Sequence, residues 1–146
     1  MIETSGRPSA IRPPHHTLPI GRYSPAVSVP LDGERTLVFI SGQVAGDAQG
    51  RTLGAGDPAR QTEAVFELMS EILKEAGGSL ADLVSVVIYL ADMAHLAAVS
   101  EVRNRVLSEP PPASTLVEVA RLAVAGHLVE ISGVAVVEAP RNGRAA

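Results

Sequence analysis

The chain has 146 residues, with 12 Lys plus Arg against 16 Asp plus Glu and a formal net charge of −4. That length suits one domain with a sizeable core, and the acidic balance excludes the basic footprint of a nucleic-acid binder. There are no cysteines, which excludes disulfides, thiolate nucleophiles and cysteine-held metals.

Hydrophobic residues make up 46% but aromatics only 3%, so the core is aliphatic and no base-stacking platform is evident. The opening MIETSGRPSAIRPPHH lacks the apolar stretch of a signal peptide, and no later run is long enough to cross a bilayer. The expectation is a soluble cytoplasmic protein with neither nucleic acid nor membrane as partner.

Residues 1–19, rich in proline and polar residues, read as a flexible or extended arm. His15 and His16 lie in it. A metal-binding reading of that pair is open, but neighbouring histidines without nearby acids are more often incidental. The main domain is expected over 20–139, with a frayed tail over 140–146. Ala26 to Pro30 reads as a short strand, Asp32-Gly33 as a hairpin turn, and Arg35 to Ser41 as a strong strand. The glycine-rich stretch that follows, Gly42 to Gly56, fits neither phosphate-loop spacing.

Asp57 and Pro58 open a helix with Val65, Leu68, Met69, Ile72 and Leu73 on one face; Gly77-Gly78 closes it. The apolar run Leu83 to Leu90 reads as a strand buried on both faces. Asp92 caps a second helix, with Leu96, Val99, Val102 and Val106 inward, ending before Pro110. PASTLVEVAR, from Pro112 to Arg121, reads as a buried strand whose one face carries Ser114, Leu116 and Glu118. Leu128 to Glu138 is the last strand. The order is β-β-α-β-α-β-β: an α+β fold, one sheet of about six strands with two helices on one face. The other face is too apolar to be wet, so an oligomer with pockets between subunits is expected.

Five stretches carry a resemblance: IGRYSPAV at 20–27, FISGQVA at 39–45, VVIYLADM at 86–93, PPASTLVEVARLA at 111–123 and VEISGVAV at 129–136. In this order and spacing they resemble the Rid family, the YjgF-like reactive intermediate deaminases formerly labelled L-PSP endoribonucleases. The resemblance implies a chorismate-mutase-like homotrimer with clefts between subunits. It also implies cofactor-independent hydrolysis of small enamines or imines such as 2-aminoacrylate, with no metal.

Residue by residue, the family's pocket tyrosine falls on Tyr23 and its S-G backbone on Ser41 and Gly42. Its carboxylate-clamping arginine falls on Ser114, and its last-strand glutamate is matched to Ser132. Ser100 and Leu116 stand at two further pocket positions. Arginine to serine forfeits a charge-assisted contact of roughly 1.5–3 kcal/mol. A substrate other than a small 2-imino carboxylate is therefore expected, bound or turned over by Tyr23, Ser41, Gly42, Ser114 and Ser132. Glu118 is read either as a structural hydrogen-bonding group or as a general base. Glu130 is expected on the outer face, and Arg121, on the face opposite Ser114, in a structural role. Two functions stay open: a deaminase or related tautomerase or cyclase with a non-standard site, and a non-catalytic trimer that binds a small metabolite.

Overall fold

In a computed structural model of the protein, residues 6–139 are described. The tail expected over 140–146 and the first five residues of the arm lie outside them. The strands are β1 (Ser9–Ile11), β2 (Ala26–Pro30), β3 (Arg35–Val44), β4 (Leu83–Leu90), β5 (Ala113–Glu118) and β6 (Val129–Glu138). The helices are α1 (Pro58–Glu75) and α2 (Leu96–Val106). The strands form one sheet in the order β1-β2-β3-β6-β4-β5. β6 runs antiparallel to both β3 and β4, whereas β4 and β5 are parallel and joined through α2.

The helices form where expected. Asp57 caps α1 by accepting the Arg60 N–H at 3.0 Å, and Pro58 begins it. Asp92 caps a 3-10 turn, Met93–His95, which leads into α2. Val65, Met69, Ile72 and Leu73 of α1 and Val99 and Val102 of α2 are buried. They pack on Val38, Ile40, Val86, Ile88, Leu90, Ile131 and Ala135 of the sheet, giving one aliphatic core on one side of it.

Five readings change. β4, expected to be buried on both faces, alternates buried and half-buried residues from Val86 to Leu90, with Val84 47% exposed. Ser9–Ile11, inside the arm, is a strand paired with β2. β3 continues past Ser41 to Val44, because β6 keeps pairing with it beyond an irregularity. Leu96, expected inward, is 40% exposed at the first position of α2. PASTLVEVAR is not a buried strand in this chain: β5 is the sheet's edge, and of its residues only Leu116 is even half-buried.

Cross-strand partners share a sheet face. Val86 pairs with Ser114 and Gly133, and Ile88 with Leu116 and Ile131, so these belong to the helix-covered face. Val87 pairs with Thr115 and Ser132, and Tyr89 with Val117 and Glu130, which places them on the bare face. That bare face also carries Val27, Leu37, Phe39, Val134 and Val136, by the same registers. It is apolar, with Phe39 46% exposed and Val117 38%.

Candidate active site

The site begins with a fault in a ladder. β3 pairs with β6 at Ile40↔Gly133 and next at Gln43↔Ile131. Ser41 and Gly42 thus stand together opposite the single residue Ser132. Such a bulge bends the strand and re-aims its groups. Ser41 turns its backbone N–H to the Pro25 carbonyl at 3.0 Å and donates its hydroxyl to the Ser24 carbonyl at 2.7 Å. The bulge is thereby stitched to the loop that holds Tyr23.

Gln43, 6% exposed, completes the stitching. Its Nε2 donates to the Ser41 carbonyl at 3.0 Å and lies 3.5 Å from the Pro25 carbonyl, while its Oε1 lies 2.9 Å from His16 Nε2. His16 therefore pins the arm to the bulge. Thr17 adds to this by donating to the Gly46 and Asp47 carbonyls, each at 2.8 Å.

Glu130 stands against this bulge. Its carboxylate lies directly on Gly42, where a Cβ would overlap Oε1 and sit 2.8 Å from Cδ. Half-burial raises its pKa above the ordinary value, with desolvation the cause, since a partly dried carboxylate favours its neutral form. Among the described residues no cation pairs with it. Glu130 was expected on the outer face and does lie on the helix-free one. With Tyr89 and Ser132 of the same face, it lines an open cleft.

Two cavities meet at Glu130, sharing Gly42 and Ala123 as well. The first, of about 170 Å³, lies beneath the arm, with Leu18, Ile20, Tyr23, Val44 and His127 in its walls. The second, an open cleft of about 260 Å³, is lined by Tyr89, Arg121 and Ser132. His127 is buried, its Nε2 has no hydrogen-bond partner, and desolvation lowers its pKa. Fully buried Gln61 of α1 holds the turn around it. Gln61 Nε2 donates to the Gly126 carbonyl at 2.9 Å, and its Oε1 accepts the Leu128 N–H at 2.8 Å.

The chain belongs to the family described as Endoribonuclease L-PSP, which matches residues 14–137. It is a Rid protein. It is 36% identical to the 3-aminoacrylate deaminase RutC of Acinetobacter baylyi over 119 residues, 81% of this chain and 94% of that one. It is 39% identical to a RutC family protein of Pyrococcus abyssi, covering 71% of this chain and 78% of the other. Among solved structures, RidA from an Antarctic Psychrobacter is 33% identical with a TM-score of 0.76, covering 88% of this chain and 99% of that one. The six-stranded sheet with its two helices is the Rid fold.

The sequence-predicted residues of this Rid protein divide into two sets. Tyr23, Gly42 and Ser132 line the joined cavities, with Ser41 bracing them from behind. Tyr23 is 47% exposed, and its hydroxyl lies 3.4 Å from the Ile20 N–H. Ser114 and Leu116 lie on the opposite sheet face, Leu116 packed against the core. Ser100, half-buried on α2, lines neither cavity. Glu118 accepts the Met93 N–H at 2.6 Å and so finishes the turn before α2. Sequence reasoning set Glu130 aside as an outer-face residue and passed over Tyr89 and His127. The signal for Glu130 was simple alternation, since residues two apart on a strand share a face. Placing Ser132 in a site places Glu130 there too.

Proposed function

We propose that this Rid protein is a hydrolytic deaminase of small enamines or imines, with Glu130 as its general base and acid. The observation that carries the reading is the half-dried carboxylate held on Gly42 where two cavities meet. A carboxylate with a raised pKa is a stronger base than an ordinary one, suited to taking a proton from water and giving it back. The likeness to a protein named as a 3-aminoacrylate deaminase supports the same chemistry.

An enamine first becomes an imine by moving one proton from nitrogen to its β-carbon. Water then adds its oxygen to the imine carbon, while Glu130 takes the water proton and passes it to nitrogen. Glu130 then carries the hydroxyl proton to the nitrogen as well, the carbon–nitrogen bond breaks with its electron pair leaving on ammonia, and the carbonyl forms. One water is consumed, one ammonia is formed, and nothing is oxidised or reduced. Tyr23 and Ser132 orient the substrate, and the Ser41–Gly42 backbone closes one wall.

Ser114, Leu116 and Ser100 enter this scheme only from a second subunit, since β5 turns Ser114 and Leu116 to the other face of their own sheet. The apolar bare face, with Phe39 and Val117 exposed, supports a homo-oligomer, and the Rid resemblance favours a trimer. The substitution at position 114 favours a second reading, a non-catalytic trimer that binds a small metabolite. Incubation with enzymatically generated 2-aminoacrylate and 2-iminobutanoate separates the two. Acceleration of keto-acid release supports the deaminase, and its absence with both leaves the binding protein.

A further inference from the structure

The second cavity contains a charge that neither the mechanism nor the fold uses. Arg121 lies three residues beyond the end of β5 and lines the cleft with Tyr89, Glu130 and Ser132. Its side chain is exposed, and among the described residues its guanidinium has no hydrogen-bond or ion-pair partner. Other arginines here are engaged: Arg35 with Asp32 at 2.8 Å, Arg51 with Asp47 at 2.7 Å and Arg105 with Glu63 at 2.7 Å. Glu130, in the same cleft, is also without a cation. Two groups of opposite charge thus line one cavity without pairing.

We propose that Arg121 binds the carboxylate of the substrate. This rests on the deaminase reading and names the anionic group that such a substrate presents. A guanidinium meets a carboxylate through two parallel N–H donors, which fixes orientation as well as position. Ser132, on β6 in the same cleft, offers a hydroxyl to the same anion. With the carboxylate held at Arg121 and Ser132, the adjoining carbon faces Glu130, and the substituent on that carbon turns toward the apolar cavity beneath the arm. Arg121 thereby supplies the positive charge that Ser114 lacks, and the substrate remains an acid. Its expected structural role gives way to a binding one.

The test is titration calorimetry of 2-oxobutanoate and of 2-oxobutanamide, the same ligand without its charge, against wild type, Arg121→Gln and Arg121→Lys. Wild type binds the acid more tightly than the amide. Arg121→Gln weakens the acid by about ten- to a hundredfold and leaves the amide unchanged, and Arg121→Lys recovers part of the loss. A wild type without preference for the acid overturns the proposal. So does an equal effect of Arg121→Gln on both ligands, which assigns Arg121 to folding or to a subunit contact. Binding is read without turnover, so a wild type that binds the acid but releases no ammonia refutes the reaction and leaves the assignment of Arg121 standing.

Discussion

The carboxylate of Glu130 rests on the backbone of Gly42, with room for no side chain between them. Gly42→Ala would drive the glutamate away. What must move is the end of a flexible side chain, so the stability cost stays near that of a displaced rotamer, about 0.5–1.5 kcal/mol. The catalytic cost is larger, because the base leaves its place. We expect a fall in kcat of about tenfold or more, with a small loss in urea midpoint. An unchanged kcat would mean that the contact does not position the base.

Glu130→Gln removes the proton carrier at nearly constant shape. Its kcat should fall by about 10²–10⁴-fold. Stability should move the other way. Glu130 has a folded pKa above its ordinary value of 4.5. Its contribution is therefore intact below that value and is lost as pH rises through the folded pKa. Glu130→Gln should match wild type in acid and equal or exceed it near pH 8. Urea titrations at both ends of that range read the difference.

The framework was legible because aliphatic periodicity fixes it. The stripe Val65, Met69, Ile72 and Leu73 specified α1, and the run Leu83 to Leu90 specified β4. The bulge was not legible, since Ser41 and Gly42 differ from an ordinary strand end only through their pairing with β6. Nor was the exposure of β5, because an edge strand and a central one share the same apolar residues until neighbours are known. Among site residues, Tyr23, Gly42 and Ser132 came from short motifs. Glu130 was set aside because its match in the last-strand motif was read as an outer-face residue, and here that face is also the wall of the cavities.

His127 has the opposite pH signature to Glu130. Its folded pKa lies below the ordinary 6.5 because burial disfavours the cation. Its contribution is present above that value and is lost as pH falls through the folded pKa. Replacement by phenylalanine should flatten the decline in stability below about pH 6.5. Gln61→Leu should be costly at every pH, since it strips partners from the Gly126 carbonyl and the Leu128 N–H, at about 1–3 kcal/mol for each buried group left unpaired. Thermal unfolding of both variants at pH 7 and pH 5 checks the contrast.

The bare sheet face gives a prediction about assembly. Val117→Lys or Phe39→Glu adds a charge to an apolar surface that the fold itself does not cover, so each subunit should still fold. Light scattering should report a trimer for wild type and smaller species for the variants, with helical circular dichroism retained. A monomeric wild type would remove the subunit cleft and with it any role for Ser114.

The most direct test of the central claim is keto-acid release from freshly generated 2-aminoacrylate, wild type against Glu130→Gln, at pH 8. The account predicts that wild type accelerates release and that the variant, equally folded, loses about 10²-fold or more of that rate. Equal rates for the two proteins, or no acceleration by wild type, would contradict it.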